Sequence, residues 1–228
     1  MLKRFRLVVQ LVTGAALVSA CATLRPLSPV FEHLQVQGRV IRTTHGVPLR
    51  VEAPETFRIA GPTNRVADFG GHPYQVSLAA FLEPERAIMV HAEQVMDRSG
   101  ASNYDDLPTA VWPSPQFRER SYCADVTPAL VAQEHDLKWL ARNGFDPIGP
   151  LAVRQYLRTS SAYDREAVLS LVVRGVGCAD KTSLDDAFAR LQQQVRVGEA
   201  AQSRSSPRLV ANSARADTPD AELFLRNR

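Results

Sequence analysis

The sequence predicts an α+β fold: an antiparallel sheet of about six strands built from hairpins, with two helices packed on one face. Three observations predict it. Pairs of apolar segments are joined by short polar turns, the mark of hairpins. Two segments of helical spacing, 127–142 and 182–195, stand apart from the strand runs. The 228 residues are 45% apolar and 22% charged, which allows a packed core and excludes wholesale disorder. At roughly 150 residues per domain this length suits one domain.

The elements follow in order. Residues 37–42 and 47–53 flank the turn-like cluster 43–46 (TTHG), and the second run alternates with period two, so the pair reads as a hairpin. Pro48 pushes that strand toward an edge. A short strand is expected at 57–60, ended by Gly61 and Pro62. The strongest hairpin joins 74–82 to 87–96 across Glu83-Pro84-Glu85-Arg86. Residues 97–122 are rich in Pro, Ser and Asp and read as loop, with a helical turn near 104–107. Thr127 is an N-cap and Pro128 a first helical residue, and the helix should run to about Arg142 and stop at Asn143-Gly144. A third hairpin joins 151–158 to 166–176. Its second strand is apolar on both sides, which places it centrally in the sheet. The last helix starts at Thr182 or Ser183 and aligns Leu184, Ala187, Phe188, Leu191 and Val195 on one face. The order of elements resembles that of the α+β sandwich of the PsbP family, in order alone.

Domain organisation is read as a leader at 1–20, a tether at 21–34, a single domain at 35–197 and a polar, mixed-charge tail at 198–228. The formal charge of +3 comes from the leader, where Lys3, Arg4 and Arg6 face no acid; 24 basic and 24 acidic residues remain. A neutral mature chain has no field to attract nucleic acid. The apolar stretch 7–17 is interrupted by Gln10 and Thr13. It falls short of the about 20 apolar residues a spanning helix needs and fits a secretory signal peptide.

The run Val18, Ser19, Ala20, Cys21 resembles the lipobox of bacterial lipoproteins. The resemblance implies that Cys21 becomes the acylated first residue of the mature protein. With Ala22 rather than Asp next, it implies the outer membrane, facing the periplasm, as the destination. Two or three acyl chains anchor stably where one holds only marginally, at about 0.8 kcal/mol per buried CH₂. An ordinary cleaved signal peptide with a chance cysteine is the alternative. In an oxidising compartment the remaining Cys123 and Cys178 suggest a disulfide; two separate buried thiols are the alternative.

Motifs of catalysis are absent: the sequence has no GxSxG, HExxH, CxxC, P-loop or GxGxxG pattern. No catalytic residue, metal ligand or cofactor is assigned. The five histidines (33, 45, 72, 91, 135) are scattered. Glu134-His135-Asp136 reads as a solvated helix face, because adjacent helical side chains diverge. His91 reads as a sheet-face histidine that could line a cleft. Asp105-Asp106 reads as turn chemistry and Asp185-Asp186 as complementing a helix dipole. Arginine outnumbers lysine 24 to 3; Arg118, Arg120, Arg154 and Arg158 could meet phosphates or carboxylates.

These readings point to a non-catalytic lipoprotein, held to the membrane by Cys21, that binds a protein partner or envelope component. A carrier of a hydrophobic ligand in a sheet–helix cleft is one alternative. An envelope hydrolase with a site dispersed in sequence is the other.

Overall fold

The computed structural model describes residues 31–199; the leader, Cys21, most of the tether and the tail from residue 200 lie outside the described residues. The fold is α+β, with two antiparallel sheets. Strands β1 (Leu34–Gln37), β2 (Val40–Thr43), β3 (Arg50–Glu52) and β10 (Arg196–Gly198) form a four-stranded sheet in the order β1-β2-β3-β10. Strands β4 (Arg58–Phe69), β5 (His72–Leu82), β6 (Arg86–Val95), β7 (Arg118–Val126), β8 (Gly149–Thr159) and β9 (Arg165–Arg174) form a six-stranded sheet in the order β4-β5-β6-β9-β8-β7. Helices α1 (Pro128–Gln133), α2 (His135–Arg142) and α3 (Lys181–Gln194) complete the domain.

The two strong hairpins are β5–β6 and β8–β9, and β9 lies inside the sheet between β6 and β8, as its two apolar faces require. Ile88, Val90, Leu169, Leu171 and Val173 face the four-stranded sheet and α3, whose Phe188 and Leu191 join the same cluster. Met89, Ala87, Val153 and Val172 face the other way, against Leu137 and Leu140 of α2 and against Phe145. The helices therefore take opposite faces rather than the single face expected. The reason is physical: each fully buried leucine or valine contributes roughly 1.5–3 kcal/mol, so a sheet apolar on both sides needs cover on both.

Four local differences share simple causes. The first strand is split by a turn at Gly38, whose φ of +57° favours glycine. The strand expected to end at Gly61 continues through it as β4. A register shift between Ala60 and Thr63 carries the chain past, and Pro62 costs little on an edge strand. Gly61 itself has a φ of +90°, and a Cβ there would lie 2.8 Å from the Leu78 carbonyl oxygen. The loop region 97–122 hides the start of β7, whose sequence RERSYCADV is polar because it forms the opposite sheet edge. Finally, the single helix expected at 127–142 breaks at Glu134 (φ −84°, ψ 123°) into α1 and α2.

The Thr127 cap is present, its side chain accepting from the Leu130 amide. The domain begins slightly before residue 35: the His33 amide donates to Ser77 Oγ (3.0 Å) and Leu34 is buried. Among the described residues no helix is long and apolar enough to cross a membrane.

Cys123 on β7 and Cys178 before α3 stand at bonding distance, sulfur to sulfur 2.00 Å, with Cα atoms 5.5 Å apart. The link ties an edge strand to the lead-in of α3 across 55 positions. Mass spectrometry of unreduced protein should show one peptide joining the two cysteines. Replacing both by alanine should lower stability by roughly 4 kcal/mol in the chain-entropy model, read by urea unfolding; two free thiols in the native protein would refute the link.

Candidate functional site

The face of the six-stranded sheet that carries α1 and α2 is not apolar throughout. Cross-strand register sets its side chains in rows. One row runs Arg65, Val76, Glu93, Glu166, Thr159, and the next runs Thr63, Leu78, His91, Val168, Leu157, Arg118. A third places Met89 beside Ser170, Gln155 and Arg120. Polar groups from five strands thus gather at the end of the sheet beyond the Leu137–Leu140 contact. The break at Glu134 sets the start of α2 over them.

The result is a cleft of about 440 Å³, counting space open to solvent, lined by Arg65, His91, Glu93, Arg120, Glu134 and Asp136 with Phe69, Tyr104 and Leu157. Asp136 is its hub. One carboxylate oxygen accepts from Arg65 Nη2 (3.2 Å) and the other from His91 Nε2 (3.0 Å). His135 Nδ1 stands 3.9 Å from the first of these oxygens. Asp136 also lies in the first turn of α2, where the helix dipole favours a negative charge. Arg120 Nε donates to Gln155 Oε1 (2.7 Å), and Gln155 Nε2 donates to Ser170 Oγ (3.1 Å). Arg120 lies over the Tyr104 ring and Arg65 over Phe69.

Burial alone would discharge His91. The charge of Asp136 and its hydrogen bond outweigh that, with help from Glu93, and the His91 pKa is raised. Burial likewise pushes Asp136 up, but His91, His135 and Arg65 together hold its carboxyl well below the ordinary range. The pair thus favours the charged form of each partner. It holds α2 to the sheet through charge as well as through Leu137 and Leu140.

Glu134 and Asp136 do not form the solvated helix face expected: they are 4% and 6% exposed. They turn inward because the helix break reorients α2. His91 does line a cleft. Of the arginines singled out, only Arg120 reaches it with its guanidinium group. Arg154 bridges Glu119 and Asp185 (3.5 and 2.6 Å), and Arg158 bonds the Pro48 carbonyl and Glu199 (both 3.0 Å). Arg118 meets Thr109 and Asp105, and the Tyr163 hydroxyl donates to Asp105 (2.6 Å). Sequence reading missed Arg65 and Glu93 as members, since both sit in strands with no motif around them.

No family model, no curated protein and no solved structure matches this chain.

The ion pair has a pH signature. The raised histidine contributes in full below about pH 6.5, its unfolded value, and that stability is lost as pH rises through the folded value. The depressed Asp136 contributes above about pH 4 and fails only as pH falls further. Urea midpoints should thus decline from pH 6 to pH 9, and His91→Gln should flatten the decline. Asp136→Ala should cost about 3–5 kcal/mol, because it removes the carboxylate that faces the buried His91. An unchanged midpoint in Asp136→Ala would show that the pair holds nothing.

Proposed function

We propose that the mature protein is a lipid-anchored periplasmic protein, attached through Cys21 to the outer membrane, whose domain binds a polar or charged envelope component or a protein partner in the cleft around Asp136. The lipobox supports the anchor. The observation that carries the binding reading is the cleft itself: cations and carboxylates from three strands and the start of α2 converge where the sheet opens to solvent. Such a surface discriminates ligands by charge placement rather than by apolar fit. Between the sheet and α2 lies a smaller pocket of about 270 Å³, counting space open to solvent, lined mostly by apolar side chains such as Leu137, Leu140 and Leu151; the larger cleft is the charged one, which supports a polar ligand over a hydrophobic cargo. Both oxygens of Asp136 are engaged, and the nearby Ser170 hydroxyl accepts from Gln155. That arrangement supports recognition over nucleophilic catalysis. The His91–Asp136 pair is nonetheless the one feature that favours an envelope hydrolase as the second reading. Nucleic acid is no part of either reading.

Two measurements test the proposal. Cys21→Ala should move the protein from the membrane fraction to the soluble periplasm and abolish incorporation of labelled palmitate; unchanged fractionation would sink the anchor. A photo-crosslinking residue at Tyr104 should capture a defined envelope component in living cells, and Arg120→Glu should abolish that capture. Capture indifferent to Arg120→Glu would remove the cleft from the binding surface, and hydrolysis lost in His91→Gln would move the protein to the second reading.

A further inference from the structure

The chain enters the domain beside two histidines. His33 precedes β1, and His45 lies in the turn between β2 and β3. They stand over the sheet face opposite the cleft. There the register aligns Val66, Gln75, Gln94 and Arg165 in one row and Asn64, Ser77, Ala92 and Ala167 in the next. Backbone and ring contacts fasten the entering segment to that face. The His33 amide donates to Ser77 Oγ (3.0 Å), and the Ser77 hydroxyl donates to Asn64 Oδ1 (2.7 Å). The Thr44 amide donates to the His33 carbonyl oxygen (2.9 Å), and the Thr44 hydroxyl donates to the Glu32 carbonyl oxygen (2.7 Å). The rings of Phe31, His33 and His45 follow one another at centroid distances of 5.1 and 5.4 Å.

This arrangement suits neutral rings. His33 Nε2 lies 3.2 Å from Gln75 Oε1, and His45 Nε2 lies 2.9 Å from the Glu166 carbonyl oxygen. Both partners are acceptors, so each Nε2 carries the single proton of its ring. A second proton must go to Nδ1, and in His45 that atom is buried with no hydrogen-bond partner. It would also charge one ring beside the other and beside the Arg165 guanidinium, whose Nη1 reaches within 2.8 Å of a Cβ position on Gly46. The nearby charges give little compensation. Arg165 meets Asp164 only at 3.9 Å, and Glu199 is taken by Arg158, which also bonds the Pro48 carbonyl of the same turn. Glu166 favours a charged His45, but burial outweighs it and lowers His45. Burial, with His45 and Arg165 adding to it, lowers His33 to about 4.

We propose that His33 and His45 form an acid-operated clasp: on taking up protons the two rings repel each other and Arg165, and residues 31–33 let go of β5 and Thr44 while the sheets stay folded. The sign follows from linkage. A histidine lowered in the folded state costs stability as pH falls from about 6.5, its unfolded value, to about 4 in His33. Over that interval each ring favours the open form by about tenfold per pH unit. Where Cys21 is acylated, each released residue adds at most about 3.3–3.6 Å of reach to the tether. That consequence rests on the anchor; the clasp itself does not.

Hydrogen exchange of the full-length protein in detergent, corrected for the intrinsic effect of pH on exchange, reads the clasp whether or not Cys21 is acylated. The opening constant at the His33 and Thr44 amides should rise at least tenfold from pH 6.5 to pH 5, while the β5–β6 ladder stays protected. His33→Gln and His45→Gln each keep a side-chain donor and should each flatten the rise; together they should abolish it. His72→Gln, which changes a histidine paired with Asp97 outside this corner, should leave the rise intact. A wild-type opening constant that does not move with pH overturns the clasp however the variants fold. So does a rise that survives in the double variant, or an opening seen only together with loss of the β5–β6 ladder.

Discussion

A sheet whose central strands carry apolar side chains on both faces has to be covered twice. In β6, Ile88, Val90 and Ala92 point one way while Ala87, Met89 and His91 point the other, and all six are buried. β9 repeats the pattern with Leu169, Leu171 and Val173 against Val168, Ser170 and Val172. The rest of the architecture answers this demand. The four-stranded sheet and α3 close one face, α1 and α2 close part of the other, and the Cys123–Cys178 link holds the α3 lead-in against β7. The incomplete cover on the α2 side is what leaves room for the polar rows and their cleft.

Within that frame, charge burial follows a consistent logic. Glu93 and Asp136 face His91, and Asp136 satisfies two donors at once. Its position at the start of α2 adds the helix dipole to the same balance. Removing one partner of such a network is far costlier than never having built it, so the network also fixes the pose of α2. The helix break at Glu134 and the ion pair at Asp136 are two parts of one device: the first turns the carboxylate inward and the second holds it there.

Much of this fold was legible in the sequence because its signals are local. The β5–β6 and β8–β9 hairpins show apolar runs around short polar turns, Thr127 and Pro128 mark a helix start, and α3 declares itself by spacing. What was hidden lacks a local signal. β7 reads RERSYCADV because an edge strand shows little apolar periodicity, and β4 passes through a glycine and proline that ordinarily stop a strand. The site was harder still. His91 and Asp136 are 45 positions apart, and His33 and Gln75 are 42 apart. Only sheet order and register make them neighbours. Glu134 and Asp136 were legible as a cluster but not as an inward-facing one, since that depends on a break which no glycine or proline announces.

Glu166 links the two faces of the sheet in a single residue. Its carbonyl oxygen accepts from His45 on one side, while its side chain shares a buried row with Glu93 and Arg65 on the other. One peptide unit therefore belongs to both environments. Whatever shifts β9 at this point moves the Glu166 side chain and the acceptor of the His45 hydrogen bond together.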